Sequence, residues 1–257
     1  MVESAMAKKN SIIEVAVLGV PDVTGSTLFG IYDLFSSVGR DWGLVMDGTP
    51  GDTRIHCSIV APNTGAFTVA NGLSLQPQMS FADCGQPDIV CVPDIMIAPG
   101  AKLGPEYDPY LCWVRDCLTG GATVASACSG AILFAEAGLL NGCDATTHWA
   151  YCDALKQEFP TVNWLPKRAL VASGEGQRIV MAGGGMAWQD LALYLIARFV
   201  GTEEAMQVAK LNLINWHDIG QQPFAHNMPW NRHKNFRERL RAVDAVRFSC
   251  IIDSHLP

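Results

Sequence analysis

The chain has 257 residues, 49% hydrophobic and 17% charged, with a formal net charge of −7 at pH 7. That length suits one large α/β domain or two small ones with a substantial core, and the acidic balance argues against a nucleic-acid binder. No apolar run reaches membrane-spanning length, the first ten residues lack a signal peptide's hydrophobic region, and nine cysteines without a C-x-x-C pair suggest neither a disulfide framework nor a zinc site. The chain therefore reads as reduced and cytoplasmic, with no metal, no cofactor and no membrane partner.

Taken in order, residues 1–11 read as a flexible polar terminus. Ile12 to Val20 is a nearly continuous apolar run, the mark of a buried parallel strand. Pro21-Asp22-Val23-Thr24-Gly25 makes a loop, and Ser26 or Thr27 can cap a helix whose apolar face is Leu28, Ile31, Leu34 and Phe35. A Gly- and Asp-rich loop covers Asp47 to Asp52, and Arg54 to Ala61 is a second strand. Ala66 to Leu75 forms a small hairpin on Asn71-Gly72. Pro87 to Pro93 is a third buried strand, followed by a Pro- and Gly-rich loop from Asp94 to Gly104 and a helix over Tyr107 to Leu118.

The fourth strand ends at Ala127, and Cys128-Ser129-Gly130-Ala131 passes directly into a helix that stops at Gly138. Asp144 to Thr147 is a short strand, and Trp149 to Phe159 a helix. Arg168 to Ser173 and Arg178 to Met181 form a hairpin around Gly174-Glu175-Gly176. Gly183-Gly184-Gly185 leads to a helix over Ala187 to Val200, and Glu203 to Leu213 is another. Strands alternating with helices predict an α/β fold with a mostly parallel sheet and helices on both faces.

The turn at Cys128 has the layout of a nucleophile elbow, a sharp strand-to-helix turn with small residues on both sides of the reactive side chain. The following helix N-terminus favours a thiolate; the same residues also fit a small, buried, inert thiol. Sites in such sheets form at the carboxyl ends of the strands. That rule gathers the loop from Asp22 to Thr27, the loop from Pro93 to Pro99, Cys128 and His148. Cys128 and His148 would then make a thiolate–imidazole pair, or His148 would be a partly buried histidine bonded to backbone.

Ala127-Cys128-Ser129-Gly130-Ala131, Ala135-Glu136-Ala137-Gly138-Leu139-Leu140-Asn141-Gly142 and Ala145-Thr146-Thr147-His148-Trp149 together resemble the ThiJ/PfpI superfamily of class I glutamine amidotransferase-like proteins. The nearest look is to the amidase-like N-terminal domain of AraC-family transcriptional regulators and to isocyanide hydratases. Val20-Pro21-Asp22-Val23-Thr24 with Gly30, Gly183-Gly184-Gly185 through Leu193, and Trp216 with Gly220-Gln221-Gln222-Pro223-Phe224 add to the resemblance, which covers residues 12–225. It implies a flavodoxin-like three-layer sandwich, a homodimer, and an elbow cysteine in a pocket near the subunit interface. It also implies an acidic residue from the first helix beside the cysteine and backbone N–H donors from the loop after the third strand.

Two positions depart from that pattern. Thr27 stands where the family places its acid, and a threonine can donate to a thiolate but cannot act as a carboxylate. Asp22 in the same loop is the candidate substitute. Pro93-Asp94-Ile95 replaces a Gly-Gly pair, and proline has no N–H, so a donor worth about 100-fold in rate is lost. Ser129 after the cysteine does not support a peptidase.

Residues 226–257 form a tail expected to be helical in part. Within it, 231–247 carry six Lys or Arg against Glu238 and Asp244, a net of +4, with Phe236, Leu240, Val243 and Val246 at near-helical spacing. The tail is too short for paired helix-turn-helix motifs, so no DNA binding is expected of this chain alone. The sequence thus predicts a ligand-sensing domain of the AraC-regulator type, with Asp22, Pro93, Asp94, Ile95, Ser129, Gly130 and Trp149 lining a small-molecule pocket marked by Cys128. The alternative is a cysteine-dependent hydratase or amidohydrolase in which Cys128, His148 and Thr27 are catalytic.

Overall fold

In the computed structural model, residues 12–215 and 220–221 are described. The expectations for residues 1–11, for Trp216, for Gln222 to Phe224 and for the tail 226–257 lie outside them.

The apolar runs pair into one seven-stranded sheet. Its strands are β1 (Ile13–Leu18), β2 (Ile55–Ala61), β5 (Met79–Ser80), β6 (Ile89–Val92), β7 (Thr123–Ala127), β10 (Leu170–Ser173) and β11 (Ile179–Ala182), in the order β10-β11-β7-β6-β1-β2-β5. Within this sheet only the β10–β11 pair is antiparallel. Strands β6, β7 and β11 are buried along their whole length, as a central parallel strand covered on both faces must be. Two small sheets stand apart: the hairpin β3 (Phe67–Thr68) with β4 (Ser74–Leu75), and β8 (Asp144–Ala145) with β9 (Asn163–Trp164). Asn71 and Gly72 turn the hairpin in left-handed backbone, φ 62° and 75°.

Helices surround the sheet. α1 (Gly25–Ser37) buries Leu28, Ile31, Leu34 and Phe35 and packs on β1, β2 and α7 (Trp188–Phe199). α4 (Asp108–Thr119) and α5 (Ala131–Glu136) pack on each other and on β7. The other α-helices of the described residues are α2 (Asp41–Asp47), α3 (Phe81–Cys84), α6 (Cys152–Glu158) and α8 (Thr202–Leu211).

Several local expectations change. Asp47 ends α2 rather than opening a loop, and α2 buries no residue, so no apolar stripe announces it. The N-cap of α1 is Thr24, not Ser26 or Thr27, and Thr24 makes no capping bond because its hydroxyl is turned to Asp94. The strand before His148 pairs with β9 in its own small sheet, not in the main one. Among the described residues, no helix is long and apolar enough to cross a membrane.

Strand order reverses between β1 and β6, the switch point where open α/β sheets form their crevices. The loops after β1 and β6 are tied together there by the Met96 N–H donating to the Asp22 carbonyl at 2.8 Å.

Candidate functional site

Beyond the carboxyl end of β7 the chain turns through Cys128–Gly130 into α5, and Cys128 sits in left-handed backbone at φ 54°. A non-glycine residue held there carries roughly 1–3 kcal/mol of strain. Its neighbours fix it: the Cys128 N–H donates to the Gly183 carbonyl at 3.0 Å, and the Thr147 hydroxyl donates to the Cys128 carbonyl at 2.8 Å. Gly130 lets the β6 loop approach, since a Cβ there would lie 2.1 Å from the Pro93 carbonyl oxygen.

Ser129 joins elbow and loop. Its hydroxyl accepts from the Ile95 N–H at 3.0 Å and donates to the Ile95 carbonyl at 2.7 Å. Ile95 and Ser129 are both buried. The loop after β6 therefore offers little to a ligand: Pro93 has no N–H, and that of Ile95 is taken up by Ser129.

The carboxylate whose charge is felt at the cysteine is that of Asp94. The side chain is only 6% exposed. The Thr24 hydroxyl stands 2.8 and 2.9 Å from its two oxygens, the Thr24 N–H 3.4 Å from one of them, and the Thr27 hydroxyl 3.2 Å from that of Thr24. Burial pushes the Asp94 carboxyl up, against the pull of the Thr24 and Thr27 hydroxyls. Burial also pushes the Cys128 thiol up. The Ser129 N–H opposes this, the Asp94 charge adds to it, and the Ser129 hydroxyl and Gly185 N–H favour the thiolate. The single Ser129 proton cannot serve both the sulfur and the Ile95 carbonyl.

The other residues singled out from the sequence are placed differently. Thr27 is buried in this cluster as a partner of Thr24 and Asp94. Asp22 does not replace the missing acid, because its carboxylate accepts from the Tyr107 hydroxyl, 85 residues away. His148 does not pair with Cys128 through a hydrogen bond. Its Nδ1 accepts from the Ala150 N–H at 3.1 Å, which puts the neutral ring's proton on Nε2, and burial pushes its pKa down. Gly184 gives the ring room, since a Cβ there would stand 2.0 Å from His148 Cδ2. Trp149 is exposed, as are Met96 and Met186, which flank Ile95 and Gly185.

Three further residues at the site were not among the predicted site residues, although Gly185 and Gln221 lie in segments that carry the resemblance. Tyr151 donates to the Ile97 carbonyl at 2.6 Å, and burial pushes its phenol up, with the Cys128 and Asp94 charges adding. Its signal was its position one helical turn after His148. Gly185 turns an N–H toward the Cys128 sulfur. Gln221, buried, accepts from the Trp149 and Gly184 N–H groups at 3.2 and 2.8 Å. It donates to the Thr147 and Arg168 carbonyls at 2.8 and 3.1 Å.

A groove of about 350 Å³ opens elsewhere along the strand ends, lined by Pro21, Ala61, Phe67, Thr68, Glu106 and Tyr110 among others, and includes none of the predicted site residues. Among the described residues, no cluster of three His, Cys, Asp or Glu side chains is placed to hold a metal ion.

The chain is similar to known proteins along most of this architecture. It is 33% identical over 205 residues to the isonitrile hydratase of Pseudomonas putida, covering 78% of each chain. It is 29% identical over 152 residues to the HTH-type transcriptional regulator CdhR of Pseudomonas aeruginosa, covering 59% of this chain but only 43% of that protein. The crystal structure of an AraC family transcriptional regulator from Pseudomonas putida superposes with a TM-score of 0.60 at 17% identity, over 78% of this chain and 99% of that one, a likeness of fold. The sequence profile of the DJ-1/PfpI family matches residues 46–196, a span that runs from the end of α2 through the elbow into α7. By that match, with a relative that parallels it over most of its length, the chain belongs to the DJ-1/PfpI family.

Proposed function

We propose that this chain is a ligand-sensing domain of the type found in AraC-family transcriptional regulators, and that it binds a small molecule in a pocket marked by Cys128. One observation carries the reading: the Ile95 N–H, beside a proline that has none, is bonded to Ser129 and so withheld from any developing oxyanion. A half-buried thiol pushed upward by burial, with the Asp94 charge adding to it, supports the same reading. Asp94, Ser129, Gly130 and Trp149 contribute the pocket wall, and His148 shapes it. The sensor works as a cytoplasmic homodimer and binds no DNA by itself. The test follows consumption of isocyanides, amides and dicarbonyls by the wild type and by Cys128→Ser. Neither protein should consume any of them; turnover by the wild type that disappears with the sulfur would overturn the reading.

A second reading is favoured by the Ser129 and Gly185 donors at the sulfur. In a hydratase or amidohydrolase, a Cys128 thiolate would attack the carbon of a small C–N substrate, as the name of the Pseudomonas putida relative suggests. The same assay scores it.

A further inference from the structure

We propose that the groove at the carboxyl ends of β1 and β2 is a second small-molecule site, separate from the Cys128 pocket. Its ligand is a small organic ammonium ion with an aromatic or branched alkyl body. The volume of about 350 Å³ lies in the range of small-ligand sites. Pro21 and Ala61 line the groove where β1 and β2 run out, Ala66, Phe67 and Thr68 line it from the β3–β4 hairpin, and Glu106 and Tyr110 from the start of α4 and the turn before it.

The walls are fixed by contacts of their own. The Tyr110 hydroxyl donates to the Gly19 carbonyl at 3.0 Å, and its ring meets Phe81 edge to face at 5.4 Å. Phe67 pairs with Leu75 across the hairpin, and the Ala70 N–H donates to the Val23 carbonyl at 3.1 Å, tying the hairpin to the loop after β1. Gly19 lets the hairpin approach β1, since a Cβ there would stand 2.8 Å from Leu75 Cδ2. Pro21 and Glu106 are each followed in the chain by one member of the Asp22–Tyr107 hydrogen bond, which joins their two segments. Walls held in this way cost little ordering when a ligand binds.

Charge selects the ligand. Among the described residues that line the groove, Glu106 alone carries a charge, and no Lys or Arg is present. A lone carboxylate there attracts an ammonium ion and repels a carboxylate or phosphate. It is too few oxygens for a divalent cation. The apolar side chains of Pro21, Ala61, Ala66 and Phe67 call for a carbon body, and aromatic rings add to the pull on a cation. Nothing in this proposal depends on the chemistry of Cys128.

The experiment titrates the full chain at neutral pH with benzylammonium and, as probes of matched shape, with benzyl alcohol and benzoate, following backbone amides by NMR. Benzylammonium is expected to bind with a Kd of about 1 mM. It should shift the amides of Phe67, Thr68 and Glu106 and leave that of Gly185 in place, while benzoate does not bind. Glu106 is exposed, so Glu106→Gln should weaken benzylammonium by about 5-fold and leave benzyl alcohol unchanged. Ala66→Trp, a substitution at an exposed position, fills the groove and should abolish the binding of both. Absence of saturable benzylammonium binding, equal binding of benzoate, an affinity indifferent to Glu106→Gln, or shifts centred on Cys128 would each overturn the proposal. The sensor reading turns on substrate consumption at Cys128, so the two fail separately.

Discussion

Replacing Ser129 by alanine removes the partner of the Ile95 N–H and one of two partners of the Ile95 carbonyl, which also accepts from the Ile97 N–H at 2.9 Å. The Ser129 Oγ accepts from the Ile95 N–H at 3.0 Å and donates to the Ile95 carbonyl at 2.7 Å, and both residues are buried. The carbonyl keeps the Ile97 N–H, so one backbone group, the N–H, is left without a partner, and we expect a loss of about 1–3 kcal/mol. In a domain of this size that is a fall in Tm of roughly 2–12 °C. Urea unfolding followed by circular dichroism measures it. A loss below about 0.5 kcal/mol would show that Ile95 finds other partners. The N–H would then not be withheld from the pocket by Ser129, and the main support for a sensing rather than a catalytic site would fall. The same variant frees that N–H, and we expect no turnover to appear with it, because the Cys128 thiol is still pushed up by burial and Pro93 still lacks a donor.

Gln221→Ala deletes the acceptor of two N–H groups and the donor to two carbonyls, so a loss of about 3–5 kcal/mol is expected in the same unfolding assay; a loss under 1 kcal/mol would refute the joining role. His148 has a folded-state pKa below its unfolded value because of burial. The folded state therefore binds the proton less well, and the wild type should lose stability as pH falls below about 6.5. His148→Asn, which keeps an acceptor for the Ala150 N–H and cannot titrate, should lose less between pH 7 and 5, and identical losses would contradict the assignment.

The sheet was legible because its strands carry their own signature. Val15–Leu18 and Ile89–Val92 are continuous apolar runs, as a doubly covered parallel strand calls for. The elbow was legible because small residues on both sides of one cysteine meet a steric demand of the turn itself. What escaped was set by contacts far apart in sequence. Asp22 and Asp94 look alike as loop aspartates, yet one meets Tyr107 and the other meets Thr24, 70 residues away. Which partner each carboxylate meets depends on how the β6 loop bends over the start of α1, and no local pattern encodes that. α2 and the two-residue β5 lacked the periodicity that reveals an element, α2 because none of its side chains is buried.

Gln221 also gives the site a place in time. It lies 72 residues beyond Trp149, whose N–H it accepts, and 37 beyond Gly184. At about 5–20 residues per second, a ribosome adds it roughly 4–14 s after Trp149. Until then the sheet strands through β11 are already made, while the turn that carries His148 and the glycine loop facing Cys128 lack the side chain that joins them. The wall of the site is thus completed after the sheet that supports it, by one of the last described residues of the domain to be synthesised.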